Sequence, residues 1–89
     1  MIDDKSILKV SIRQVKAARA LLGWSQEDLA SAASVSLPTI KRLEAQAGDL
    51  GGRSDTGSKI CSALAAGGIE FISQNGGGVG VRLRKPSKS

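Results

Sequence analysis

Apolar residues recur with a helical period along most of the chain. Between Ser11 and Leu22 they return every three or four positions, and Gly23 follows, which predicts a first helix that ends at a glycine. At Ser25 a serine is followed three residues later by the acid Asp28. This spacing is a variant of the capping box and predicts the start of a second, short helix.

The helical pattern is interrupted at Ser34-Val35 and resumes in a third helix. This helix is predicted to open at Ser36 or Leu37 and to run to about Gln46. Pro38 falls in its first turn, where a missing N–H group costs nothing. Two short helices joined by three or four residues are what a protein needs to place one helix in the major groove of DNA.

The last third of the chain predicts a fourth helix followed by a β-hairpin. Ser54 is expected to cap this helix, and Gly67-Gly68 to end it. Residues 69–72 and 79–84 are predicted to form two short strands around a glycine-rich turn that contains Asn75-Gly76. The inner stripe of the fourth helix is expected to comprise Ile60, Cys61 and Leu64.

The composition favours a small binding module over an enzyme. The chain has 89 residues, with thirteen Lys and Arg against eight Asp and Glu, and its net charge is +5. A polyanion is therefore the first partner to consider. Taken alone this signal is weak, because many basic proteins only carry solvated lysines. A chain of this length forms one modest core, with little room for a buried catalytic pocket.

The residue types exclude several kinds of chemistry. Histidine is absent and Cys61 is the single cysteine, so His-based triads, zinc sites and internal disulfides are not expected. We expect no metal and no cofactor, and burial of Cys61 is favoured over a redox role. An enzyme would depend on carboxylates and lysines, and this is the weakest alternative. With no secretory signal and no membrane-length apolar run, we expect a cytoplasmic, nucleoid-associated protein.

The third helix separates two kinds of position. The inner stripe is expected to comprise Ile40, Leu43 and Ala47, and the outer stripe Leu37, Pro38, Lys41, Arg42 and Ala45. In a major groove the outer stripe would face DNA. A solvated basic helix face is the other interpretation of Lys41 and Arg42.

Glu44 falls among the apolar positions of the third helix, where an unpaired carboxylate is costly. Arg19 occupies the corresponding position in the first helix, whose inner stripe is otherwise apolar. We therefore predict that Arg19 and Glu44 form a planar two-bond ion pair between these helices. Two separately solvated side chains are the alternative.

Several of these positions together carry a family resemblance. The chain has Arg19, Gln26, Leu29-Ala30, Val35, Thr39-Ile40 and Leu43-Glu44 at a common spacing. In these residues, and over roughly residues 12–64, it resembles the lambda-repressor/Cro family of Xre-type regulators. The resemblance implies a mainly α fold of four to five helices with a short C-terminal β-hairpin.

The resemblance also implies roles for individual residues. Gln26 would hold a backbone phosphate at the start of the second helix, and Thr39 would contact phosphate or base. Arg53 would reach the DNA backbone or the minor groove. The residues that would face the bases are Leu37, Pro38, Lys41 and Arg42, of which Arg42 is our candidate for guanine.

Two departures from the family pattern affect these expectations. Ser34 stands where the family usually has glycine, so the turn is expected to be strained. Leu37 and Pro38 offer bases no hydrogen-bond donors, although they can contact a thymine methyl group. Direct readout would then depend on Lys41 and Arg42.

The expected organisation follows from these assignments. Residues 1–10 would be an arm, 11–67 the helix-turn-helix domain, 68–84 the hairpin and 85–89 a basic tail. We expect a homodimeric transcriptional regulator, a repressor, that binds a palindromic operator in double-stranded DNA. The alternative is an antitoxin-like module that uses the hairpin to bind another protein and binds DNA for autoregulation.

Overall fold

The computed structural model describes residues 10–50, 55–73 and 76–84. These residues form a mainly α fold, and they confirm the predicted helices and C-terminal hairpin. The elements are α1 Ile12–Leu22, α2 Gln26–Ala33, α3 Leu37–Glu44, α4 Asp55–Ala66, β1 Ile69–Ile72 and β2 Gly80–Leu83.

Each of the first three helices begins at a serine whose side chain accepts a backbone N–H bond. Ser11 and Ser25 form complete capping boxes, with Gln14 and Asp28 bonding back to the backbone N–H of the capping serine. Ser36 caps α3, and Pro38 lies in its first turn as predicted. Ser54, the predicted cap of α4, lies outside the described residues.

The third helix is shorter than predicted. It ends at Glu44 instead of about Gln46, and Ala47, assigned to its inner stripe, is exposed. The chain leaves the helix because the following segment turns back to the start of α1. The N–H of Ile12 donates to Gly48 O at 2.9 Å, and the N–H of Leu50 donates to Val10 O at 2.7 Å.

The core lies between the four helices and the base of the hairpin. Its fully buried side chains include Cys61 as predicted, and burial raises the pKa of this thiol to about 11. Val10, assigned from sequence to the arm, is also buried in this core. The largest side chains that are fully buried are Leu29, Ile40, Ile60 and Leu64.

The hairpin packs on α1 and α4. Its strands are antiparallel, with Phe71 opposite Val81 and Glu70 opposite Arg82. The buried Gln14 side chain of α1 donates from Nε2 to Gly80 O at 2.8 Å and to Ile72 O at 3.3 Å. Sequence analysis did not identify this contact, which joins the first turn of α1 to one end of the sheet.

Candidate nucleic-acid interface

A three-residue connection sets α3 against α2. Ser34 ends α2 in the left-handed region, with φ 58° and ψ 42°, and its N–H donates to Ser31 O. The N–H of Val35 donates to Ala30 O. This is the position where the family pattern has glycine, and the backbone has the conformation that glycine adopts with least strain.

The start of α3 is fixed by local hydrogen bonds. Ser36 Oγ accepts the N–H of Thr39, and the hydroxyl groups of these two residues lie 2.8 Å apart. This contact holds the hydroxyl of the half-buried Thr39 beside the cap, at the N-terminal end of α3.

The outward face of α3 carries two basic residues among apolar ones. Lys41 and Arg42 are exposed, and neither forms an ion pair within residues 10–50, 55–73 and 76–84. Pro38 and Ala45 are exposed on the same stripe. Leu37 differs from its neighbours because it is half-buried and packs against the core, which leaves only part of its side chain facing outward.

The inward face of α3 is held by Arg19. Its Nε donates to Glu44 Oε2 and its Nη2 to Glu44 Oε1, both at 2.8 Å. Its Nη1 donates to Trp24 O at 2.9 Å. One guanidinium group thus contacts α3 and the corner between α1 and α2, and its planar shape allows both carboxylate bonds at once.

Gln26 is the third member of this cluster. Its Nε2 donates to Glu44 Oε1 at 3.0 Å, a contact that links the first residue of α2 to the last residue of α3. A side-chain amide carries two N–H groups, so this bond leaves a second one that can be donated to an anion.

Glu44 is charged in this cluster. Burial on its own raises the pKa of Glu44, but the hydrogen bonds from Arg19 and Gln26 and the charges of Arg19 and Lys16 lower it below its usual value. The hydrogen bond to Glu44 raises the pKa of Arg19. Both groups therefore stay ionised at neutral pH and hold each other in place.

The two arginines of the hairpin each bond to a nearby residue. Arg53 lies outside the described residues. Arg84 Nη2 donates to Ala65 O at 2.7 Å near the end of α4, and Arg82 pairs with Glu70 across the hairpin at 3.0 Å. Both hairpin arginines thus have local partners, which favours a role in the fold.

Two contacts of the cluster were not foreseen from sequence. The bonds from Gln26 to Glu44 and from Arg19 to Trp24 O join residues that the sequence had not indicated as pairs. The sequence does hold a signal for the bond from Gln26 to Glu44. A carboxylate among apolar positions has more lone pairs than one arginine fills, so it needs a second donor.

In the part of the chain that the structure describes, no group of three potential ligands could hold a metal ion, and no helix is both long and apolar enough to cross a bilayer.

A comparison with protein families gives a match within the helical part of the chain. The family model described as helix-turn-helix matches residues 15–48, a segment that begins in α1 and ends just beyond α3. A comparison with curated proteins gives no match.

Proposed function

Because residues 15–48 place the chain in the Xre/lambda-repressor type of helix-turn-helix family, a family of DNA-binding domains, we propose that it is a sequence-specific transcriptional repressor. In this proposal α3 enters the major groove of a palindromic operator. The protein binds as a homodimer in the cytoplasm and represses transcription by occluding the operator.

The observation that carries this proposal is the contrast between the two faces of α3. Lys41 and Arg42 are exposed on one face, and Glu44 on the other is fixed by Arg19 and Gln26. A helix that reads bases needs donors that reach outward and a backbone that does not move when they bind. The arrangement supplies both.

Individual roles follow from the chemistry of the exposed side chains. Arg42 donates two bonds to guanine O6 and N7, and Lys41 donates to a neighbouring base. Pro38 and the exposed part of Leu37 contact thymine methyl groups. Gln26 donates its second amide N–H to a phosphate, and Thr39 contacts phosphate or base. Arg53, which lies outside the described residues, contacts the DNA backbone or the minor groove.

A homodimer would place two copies of α3 about 34 Å apart, one helical turn of DNA. We assign DNA binding to residues 11–67 and contacts with other chains to the hairpin, residues 68–84. Two of the three exposed large apolar side chains among the described residues, Val79 and Leu83, belong to this segment, and the third is Leu21 of α1. This exposure also favours the second candidate function, an antitoxin-like protein that binds a partner chain through the hairpin.

Selection of bound sites from a random pool of double-stranded DNA, at two salt concentrations, tests the proposal. The wild-type protein is compared with Arg42→Ala and with Arg13→Ala, which removes an exposed arginine of α1. We expect a palindromic motif, steep salt dependence, and loss of preference at one symmetric position in Arg42→Ala, with binding weakened by about 1–3 kcal/mol. Arg13→Ala should retain the motif.

Absence of any motif, with weak binding even at low salt, would reject the DNA-reading function. Sedimentation of the protein alone and with its operator measures the number of copies bound. A second protein that co-purifies in stoichiometric amount, and is lost in Leu83→Ser, would instead support the partner-binding function.

A further inference from the structure

The outer edge of β2 carries backbone groups that point away from β1. The N–H of Arg84 donates to Gly68 O at 2.6 Å, one step beyond the last pair of the ladder. Hydrogen-bonded and non-hydrogen-bonded pairs alternate in an antiparallel ladder. The backbone groups of Arg82 therefore face β1, whereas those of Val81 and Leu83 face the outer edge. Within the described residues, neither Val81 nor Leu83 has a backbone partner on this edge.

Apolar side chains line the same edge. Val79 lies two positions before Val81, and Leu83 two positions after it, so the alternation of a strand places all three on one face. This is the face that β1 turns to the core, since Ile69, opposite Leu83, is buried. Val79 is 47% exposed and Leu83 46% exposed. The core-facing side of the sheet thus continues to the edge of β2 with side chains that one more strand would cover.

A second copy of the chain fits this edge with Val81 on a two-fold axis. Two copies related by such an axis place their β2 strands antiparallel, and the outward backbone groups of Val81 then meet those of its counterpart. Val79 of each copy lies opposite Leu83 of the other, so each covers the other's exposed surface. Arg82 lies opposite Gly80, which has no side chain to obstruct it.

The neighbouring registers bring like charges together. With Arg82 on the axis, two guanidinium groups lie directly opposite each other, and with Leu83 on the axis Arg82 lies opposite Arg84. Like charges opposite each other destabilise a sheet. Glu70, which pairs with Arg82 at 3.0 Å, lies on the β1 side and can satisfy one arginine only. Charge and side-chain size therefore both favour the register centred on Val81.

Building on the homodimer of the proposed function, we propose that β2 pairs antiparallel with β2 of a second copy, with Val81 on the two-fold axis. The two hairpins then form one four-stranded sheet. Its apolar face is continuous across the dimer, and the edge of β2, which is open to pairing with other strands in a monomer, is closed.

Disulfide cross-linking under mild oxidation tests the register. Val81→Cys should cross-link to itself, because the Cα atoms of this pair would lie about 5.5 Å apart, within the range that a disulfide spans. Leu83→Cys is the matched control, since its two copies would be about 14 Å apart along the strands. Leu83→Cys mixed with Val79→Cys should cross-link. The native Cys61 is buried, so the wild type should not react.

Sedimentation over a range of concentrations measures the strength of the dimer. Leu83→Lys places a charge against Val79 twice in each dimer, and we expect it to raise the dissociation constant about tenfold or more. Ser73→Lys adds the same charge at an exposed residue after β1 and should leave the dissociation constant unchanged.

The pairing would be overturned by a wild type that stays monomeric both alone and on its operator, or by Val81→Cys that cross-links no more than the wild type. A protein of another sequence that cross-links to Val81→Cys in place of the second copy would also overturn it. If Leu83→Lys binds a palindromic operator as a dimer of undiminished strength, the dimer uses another surface and the proposed function stands. If the wild type selects no motif, the proposed function fails, whereas the cross-links still report on the pairing.

Discussion

Arg19 and Glu44 are joined by two parallel hydrogen bonds of 2.8 Å between α1 and α3. The Glu44 side chain is 5% exposed and that of Arg19 is 21% exposed, so the carboxylate depends on this contact more than the guanidinium does. Ion pairs in such surroundings contribute geometry more reliably than net stability. Here the Arg19–Glu44 pair fixes the position of α3 against α1.

Removal of Arg19 should be more damaging than removal of the whole pair. Arg19→Met leaves the Glu44 carboxylate buried with only Gln26 as a side-chain donor, and we expect a loss of about 3 kcal/mol in the free energy of unfolding. The double variant Arg19→Met/Glu44→Leu should recover most of that loss. Urea unfolding followed by the fluorescence of Trp24, the single tryptophan, measures both. Equal losses in the two variants would show that the uncompensated carboxylate is not the cause.

The depressed pKa of Glu44 predicts an acid-dependent contribution to stability. Burial raises this pKa, but hydrogen bonds and nearby positive charges lower it by more. The folded pKa therefore lies below the unfolded value of about 4.3. A group of this kind stabilises the fold above its unfolded pKa and loses that contribution as pH falls through the folded pKa.

The urea midpoint of the wild type should therefore fall more steeply than that of Glu44→Gln as the pH falls from about 5 through the folded pKa of Glu44. The other carboxyl groups titrate in both proteins, so the difference between the two curves isolates Glu44. Parallel curves over this range would mean that Glu44 has the same pKa in the folded and unfolded states.

Ser34 in the left-handed region predicts that glycine is the better residue there. At φ 58° a Cβ atom costs roughly 1–2 kcal/mol, although glycine returns part of this gain through the greater freedom of the unfolded chain. We expect Ser34→Gly to stabilise the protein by about 0.5–1 kcal/mol. Ser31→Gly, an exposed position inside α2, is the matched control and should destabilise it by about 0.5 kcal/mol. The same sign of change in both variants would contradict this explanation.

The features predicted from sequence are those with a local signal. The cap at Ser25 follows from short-range spacing, and the Arg19–Glu44 contact was inferred because both charges interrupt apolar stripes. The prediction for Leu37 was met only in part. It was assigned to the outer stripe, but a leucine at the edge of that stripe turns partly toward the core.

The features that sequence did not predict depend on distant partners. Ala45, Gln46 and Ala47 favour a helix by propensity, yet α3 ends at Glu44 because the next residues pair with the chain around Ser11. Tertiary contacts override helix propensity at such a boundary. Gln14 is a second example, since its partners in the hairpin lie 58 and 66 residues away.

Gln14 has two separable tasks, and a single atom change distinguishes them. Its Oε1 accepts the N–H of Ser11 in the capping box, whereas its Nε2 donates to Ile72 O and Gly80 O. Glutamate at this position preserves the acceptor and loses the donor. At neutral pH it would also place a negative charge against two carbonyl oxygens.

Gln14→Glu should therefore loosen the hairpin while α1 keeps its first turn. A buried carbonyl group that loses its hydrogen-bond donor lowers the stability by about 1–3 kcal/mol. We therefore expect hydrogen exchange to accelerate about tenfold or more at the amides of β1 and β2, with little change in the middle of α1. Acidification that protonates the new carboxyl group should partly restore protection in the hairpin. Acceleration confined to the first turn of α1 would instead show that the capping contact is the main role of Gln14.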